Sequence, residues 1–449
     1  MLRVLVKHIM NEKKSSGITR RNFLKKTTLA SAGISAGLMA SGNFAYAAGS
    51  DKIRVGVIGC GGRGTGAARD CLTADEGVEI YAMGDLFRDR LESSRNLLNK
   101  AMGNRVNVSD SRCFDGFENY IQVMESGVDV VILATPPAFR PIHVKAAIER
   151  DKHIFMEKPV GVDTAGARAV IELGKEAERK GLSLVSGTMY RRQPSYVEAI
   201  KRIHDGAIGE LTGAQEYYLT GSIWLRERKP GMSDMEWQCR NWYYFTWLSG
   251  DHIVEQFIHN IDTINWAFKA HPVKAIATGG RLVRVQPHYG HIYDHFSVEY
   301  EYPGGVRVQA MCRQMNDAER RITNRIVGTK GVAEVDPRYS RITSHNGKVI
   351  YESPQSDVNP YVQSHVDLIA SIRNGKPINE AHFAAESTLT AILGREAAYT
   401  GAALSWDDVY NAEMDLVPDT FAFGKLPVQP VPAPGFTKLN RGKVLVANG

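Results

Sequence analysis

The chain has 449 residues, 43% of them hydrophobic and 23% charged, with a formal net charge of +6. That length supports two domains with full cores, and the composition excludes a disordered or fibrous chain. Residues 1–47 hold eight Lys/Arg against Glu12 as their one acid, which accounts for the whole excess and leaves the remainder near −1. The chain beyond residue 47 therefore lacks the basic footprint of a nucleic-acid-binding protein.

From the N-terminus, Thr19-Arg20-Arg21-Asn22-Phe23-Leu24-Lys25 reads as a twin-arginine export signal. The run over 27–41 is too short and too rich in Gly, Ala and Ser to span a bilayer, which takes about 20 apolar residues. Ala45-Tyr46-Ala47 supplies a cleavage site. Residues 1–47 are thus expected to be a removed signal peptide that engages the twin-arginine translocase and places the protein in the periplasm or otherwise outside the cytoplasm. Met10 offers an alternative start that keeps both arginines. No later segment is apolar enough to be a membrane helix. Cys60, Cys71, Cys113, Cys239 and Cys312 show no metal-ligand spacing, so no metal site is expected and the thiols read as small buried hydrophobes.

Residues 53–58 read as a buried parallel strand, followed by a glycine turn and a helix. Further strands are expected over 78–83, 128–134 and 153–156, with helices over 87–102, 143–150 and 164–180. Strand alternating with helix predicts a doubly wound α/β sheet over residues 48–187. Beyond 187 the pattern changes. Helices are expected over 190–205 and 251–268, and strands around 273–285, 296–302, 306–315, 321–327 and 332–336, with a hairpin at Pro303-Gly304-Gly305. This predicts an α+β domain over 188–408 with a large, mostly antiparallel open sheet, whose C-terminal helices (359–374 and 381–403) return to the first domain. Residues 409–449, Pro-rich over 426–436, read as an extended arm on the body or on a partner subunit.

The turn Gly59-Cys60-Gly61-Gly62-Arg63-Gly64 carries the dinucleotide pattern. Gly59 permits the tight backbone, Gly61 lets a pyrophosphate approach, and Gly64 lets helix and strand pack. Asp85, about 20 residues on, is placed to accept from ribose hydroxyls, which favours NAD over NADP. Thr135 and Pro136, at the end of the strand over 128–134, and His143 join the expected cofactor side, although His143 also reads as a helix-packing residue.

Glu157-Lys158-Pro159 follows a strand that ends where ligands bind in open α/β sheets, so Lys158 is a candidate to handle the proton of a sugar hydroxyl. Glu255, His259 and Asp262 fall at i, i+4 and i+7, one face of a helix, where a carboxylate would orient the imidazole and raise its pKa; the same spacing is a common salt-bridge pattern. His252 lies a turn earlier. Over 217–247 aromatic residues alternate with arginines, which suits sugar stacking and hydroxyl recognition as well as a core beneath an insertion. Trp224, Arg240 and Tyr243 are the expected substrate contacts there, joined by Arg191, His252 and Asp262.

The glycine turn, Glu157-Lys158-Pro159 and Glu255-Gln256-Phe257-Ile258-His259-Asn260-Ile261-Asp262 together resemble the Gfo/Idh/MocA family of nicotinamide-dependent sugar oxidoreductases, over about 53–406. The resemblance implies a Rossmann domain, a second domain whose open sheet makes a homodimer or homotetramer, and catalysis by Lys158 with His259. The family usually has Asp where Glu255 stands and Gly where Phe257 stands. A narrower likeness, carried by Met189-Tyr190-Arg191-Arg192 and Arg240-Asn241-Trp242-Tyr243, is to the NAD-dependent α-N-acetylgalactosaminidases; it implies that Tyr190 lies in the active site. Those enzymes tend to lack the Glu-Lys-Pro this chain keeps. The expectation is an oxidoreductase acting on a sugar CH–OH group with tightly bound NAD. The alternatives are a glycosidase or lyase that oxidises its substrate only transiently, and a dinucleotide-loaded sugar-binding protein without activity.

Overall fold

The apolar run Ile53–Ile58 forms β1, buried at all positions but Arg54. A strand buried on both faces must lie inside a sheet covered by helices on each side. The computed structural model describes residues 52–440, so the expected export signal lies outside the described residues. After β1 come α1 (Gly62–Ala74), β2 (Val78–Asp85), α2 (Arg88–Met102), β3 (Cys113–Asp115) and α3 (Asn119–Glu125). Then follow β4 (Val130–Leu133), α4 (Arg140–Glu149), β5 (His153–Met156), α5 (Thr164–Arg179) and β6 (Leu184–Ser186). The six strands make a parallel sheet in the order β3-β2-β1-β4-β5-β6. The chain reverses its winding between β1 and β4, and that switch point opens a crevice at the strands' carboxyl ends.

The second part begins with α6 (Pro194–His204), β7 (Leu211–Thr220), α7 (Asp234–Arg240), α8 (Thr246–Ser249), α9 (His252–Glu255) and α10 (Ile258–Phe268). Strands β8 (Lys274–Gly280), β9 (His295–Tyr302), β10 (Val306–Gln314), β11 (Arg321–Gly328), β12 (Gly331–Val335), β13 (Ser340–Ser344) and β14 (Val349–Glu352) follow. Last come α11 (Pro360–Arg373), α12 (Ala381–Thr400), β15 (Leu404–Ser405) and α13 (Trp406–Tyr410). Their sheet has nine strands in the order β14-β13-β12-β11-β7-β10-β9-β8-β15, antiparallel throughout except for β10 beside β7. Alternate residues of β9 and β10 are buried, and α6, α10 and α12 pack on that face. The Pro303-Gly304-Gly305 link joins β9 to β10, with Tyr302 opposite Val306. Helix α11 returns to the first sheet, where Leu368, Ile369 and Ile372 share a core with β1 and α1.

Three differences from the sequence reading have local causes. The expected helix over 190–205 opens with a separate 3-10 turn, Met189–Arg192, because Pro194 occupies the first turn of α6. The expected helix over 251–268 is two helices, since the Phe257 N–H bonds His252 O five residues back and interrupts the regular ladder. Strand β7, central to the second sheet, was not expected at all. Its buried face carries Glu216, 1% exposed, and a charged residue at an inward position breaks the apolar alternation that marks a strand. The Pro-rich segment lies on the body: Leu426 is fully buried and Pro432 O accepts from the Tyr293 hydroxyl at 2.9 Å.

Candidate active site

The crevice and the second domain enclose a cleft of about 1,910 Å³. At one end stands the glycine turn. Gly59 has φ +95°, and a Cβ there would lie 2.6 Å from the backbone of Ala134 and Thr135, so β1 and β4 approach closely only because Gly59 has none. A Cβ on Gly64 would meet Gly59 O at 1.8 Å. On Gly61 and Gly62 a Cβ would meet nothing within 4 Å, and Gly61, the N-cap of α1, caps it with no side chain. The first N–H groups of α1 therefore face open space shaped for an anion. Asp85 closes β2 and accepts from Phe87 N (2.9 Å) and Cys60 N (2.7 Å), which ties its carboxylate to the glycine turn. Burial pushes Asp85 up and these backbone N–H groups pull it down. Each of its oxygens keeps a lone pair for a ribose hydroxyl. These residues fit a dinucleotide.

Two arginines hold Glu157, one from the glycine turn and one from the start of α4. Arg63 pairs with Glu157 Oε1 at 2.8 Å and with Asp70 at 3.1 Å. Arg140, 1% exposed, donates to Leu133 O, Thr135 O and Glu157 O at 2.5–2.9 Å, binding the ends of β4 and β5 together. Burial pushes its pKa down to about 10. Sequence reasoning missed Arg140, although an arginine beside a proline at the start of a helix was there to be noticed. Thr135 Oγ1 lies 3.2 Å from His143 Nδ1, and the His143 ring stacks on Tyr120 at 4.3 Å. Burial and the Arg140 charge push His143 down to about 3, so this imidazole is neutral.

Elsewhere along the cleft Lys158 donates to Glu255 Oε1 at 2.9 Å and also to Glu255 O. Both side chains are 10% exposed. Glu255 Oε2 is buried with no hydrogen-bond partner among the described residues. Burial raises Glu255 and Lys158 lowers it. His259 lines the same wall of the cleft, and its ring has no hydrogen-bond partner among the described residues. Burial first and the Lys158 ammonium second hold His259 well below the usual histidine range. This reverses the expected pairing. Because the helix breaks at residues 256–257, Glu255 turns to Lys158 and the imidazole's pKa falls instead of rising.

Of the expected substrate contacts, Trp224, Arg240 and Tyr243 line the cleft. Arg240 is held by Asp89 (3.1 Å) and Glu236 (3.1 Å) and covers the Phe87 ring. Four expected site residues do not reach the cleft. Asp262 is 2% exposed and spends its carboxylate on Arg191 (two contacts of 2.9 Å) and the Ser387 hydroxyl. Arg191 is thereby an internal tie and not a substrate contact. His252 is fully buried against Asp251 at 3.0 Å. Tyr190 packs behind the imidazole, stacked on Tyr196 at 4.4 Å with its centroid 5.1 Å from His259. Tyr218 and Gln256, linked hydroxyl to amide oxygen at 2.8 Å, line the cleft beside Glu255 and were missed. Tyr218 lies in the aromatic stretch over 217–247 but was not singled out within it, because β7 itself went unread.

Comparisons with known proteins agree with this geometry. The model of an oxidoreductase family with an NAD-binding Rossmann fold matches residues 53–185, and the GFO/IDH/MocA C-terminal domain matches 196–334, together more than half of the chain. The chain is 26% identical over 230 residues to an inositol 2-dehydrogenase of Acidothermus cellulolyticus, covering 51% of this chain and 58% of that protein. It is 30% identical over 201 residues to a glycosyl hydrolase family 109 protein of Solibacter usitatus, covering 43% of this chain and 44% of that protein. The fold is similar to the crystal structure of an aldose-aldose oxidoreductase from Caulobacter crescentus, with TM-score 0.62 at 19% identity, covering 79% of this chain and 99% of that one.

Proposed function

We propose that this chain, which belongs to the Gfo/Idh/MocA oxidoreductase family, oxidises a CH–OH group of a sugar or polyol with a resident nicotinamide dinucleotide. The observation that carries the reading is the Lys158–Glu255 pair beside a neutral His259, whose ring has no hydrogen-bond partner among the described residues, at the wall of a cleft that begins at the glycine turn. Of the three N–H donors of Lys158, two go to Glu255 and one is left for a substrate oxygen. His259 is the base: it takes the proton of the hydroxyl being oxidised, while the Lys158 charge steadies the oxygen left behind. The nicotinamide, when bound, is the hydride acceptor. Asp85 favours NAD over NADP, because a carboxylate at the ribose repels a 2′-phosphate. Export by the twin-arginine signal and pairing of subunits through the open sheet belong to the same proposal.

Lys158→Ala and His259→Ala are each expected to abolish reduction of bound cofactor by myo-inositol and a panel of aldoses, while cofactor content stays at the wild-type level. Full activity in both variants would sink the assignment.

A second reading is a glycosidase in which the oxidation is transient and net redox change is zero. The likeness to a glycosyl hydrolase family 109 protein favours it. Cleavage of a 4-nitrophenyl glycoside without added nicotinamide, with solvent deuterium entering the sugar, would support it; cleavage with no exchange would rule it out.

A further inference from the structure

Tyr243 lies in the short turn Trp242–Tyr244 after α7, is 1% exposed, and lines the cleft. Its hydroxyl oxygen accepts from Gln314 Nε2 at 2.9 Å. Gln314 ends β10, is also 1% exposed, and its Oε1 accepts from Arg284 Nη2. A guanidinium only donates, so Arg284 fixes which end of the Gln314 amide meets Tyr243, and that end must donate. The oxygen of Tyr243 being engaged, its own proton is the free donor, and it has no acceptor among the described residues.

The network behind this hydroxyl is costly. Arg284 is 2% exposed, gives Nη1 to Tyr293 O at 2.9 Å, and has no carboxylate within ion-pair distance of its guanidinium among the described residues. Asp294 delivers it by accepting the N–H groups of Leu282, Val283 and Arg284, but through the backbone. A buried cation without a directly paired anion is destabilising unless other hydrogen bonds compensate. Here it is wired through one amide to one tyrosine oxygen. Burial, with Glu255 and Tyr218 near enough to add to it, keeps the hydroxyl protonated, while Arg284 and Gln314 act in the opposite sense and sharpen it as a donor.

We propose that Tyr243 is a further catalytic residue, whose O–H donates to the substrate oxygen that Lys158 also holds, with Gln314 and Arg284 as positioning residues that strengthen the donor. The proposal rests on the oxidoreductase reading above. No bond to Tyr243 forms or breaks; the hydroxyl proton of the substrate goes to His259, and Tyr243 shares the negative charge that its loss leaves on the oxygen.

The test uses the cofactor-loaded enzyme with myo-inositol and the aldose panel. Tyr243→Phe is expected to lower kcat about 10²-fold while KM, cofactor content and Tm stay near wild type. Gln314→Glu gives Arg284 a carboxylate and turns the neighbour of Tyr243 from donor into acceptor, so that Tyr243 points its proton inward. It is expected to keep or raise Tm and still lose kcat comparably, which a merely structural role would not produce. An active wild type matched within about twofold by Tyr243→Phe overturns the assignment alone, as does a Tyr243→Phe protein that loses Tm and cofactor together with activity. A wild type inert on every probe overturns the oxidoreductase reading, and this assignment with it.

Discussion

Lys158 Nζ stands 2.9 Å from Glu255 Oε1, and this contact joins the end of β5 to the end of α9 across 97 residues of chain. The Glu255 side chain is long enough to reach the lysine from the end of α9. The carboxylate thus serves Lys158, and the imidazole of His259 is left neutral and unassisted beside a positive charge.

That arrangement sets the pH behaviour of His259. Burial and the Lys158 charge both disfavour imidazolium, so His259 stays deprotonated as pH falls well below 6.5. An NMR titration of the His259 ring is expected to show a pKa far under that value. In Lys158→Met the charge is gone and burial remains, so the pKa should rise part of the way back; an unchanged or lower value would contradict the pairing.

The glycine turn separates binding from folding. Gly62→Ala places a methyl in open space at the first position of α1, where Ala is a better helix former. The apo protein should keep its Tm, while nicotinamide content per chain falls at least about tenfold because the methyl occupies the pyrophosphate's place. Gly64→Ala drives a methyl against Gly59 O and should cost roughly 1–3 kcal/mol of stability as well. Thermal unfolding and released nicotinamide, measured on both variants, distinguish the two effects.

Acid should destabilise the protein earlier than its carboxylates require. His143 and His365 are each pushed down to about 3 by burial, so the folded state leaves them unprotonated where the unfolded chain protonates them near 6.5. The unfolded state then binds more protons, and stability falls as pH drops from 6.5 toward 3. Between pH 7 and pH 5 each histidine accounts for at most about 2 kcal/mol. A Tm flat from pH 7 to pH 5 would contradict this.

Arg191 and Asp262 are predicted to matter to stability and not to sugar affinity. Arg191→Ala leaves the Asp262 carboxylate buried with the Ser387 hydroxyl as its remaining side-chain partner among the described residues and should cost about 3–5 kcal/mol. KM for any sugar turned over should stay within about threefold. A large KM change at unaltered Tm would return Arg191 to the substrate site.

Much of this protein is determined along the chain itself. The glycine turn, the buried run of β1 and Asp85 at the end of β2 are local patterns whose physics is complete within about 30 residues, so the parallel sheet and the nucleotide end of the cleft were legible without coordinates. Lys158 was a candidate from its place after a strand and His259 from its helix face, but their catalytic roles were expected only from the family resemblance that joins the two motifs. What only the tertiary structure decided is which side chains meet. A five-residue hydrogen bond from Phe257 to His252 divided one expected helix and turned Glu255 to Lys158. A charged residue inside β7 hid the strand that carries Tyr218 to the cleft. The Arg284–Gln314–Tyr243 chain draws on three separate segments of the second domain. Periodicity reports which way a residue faces within its own element; partners distant in sequence are chosen by packing and by the need to satisfy buried polar groups, and no local pattern carries that choice.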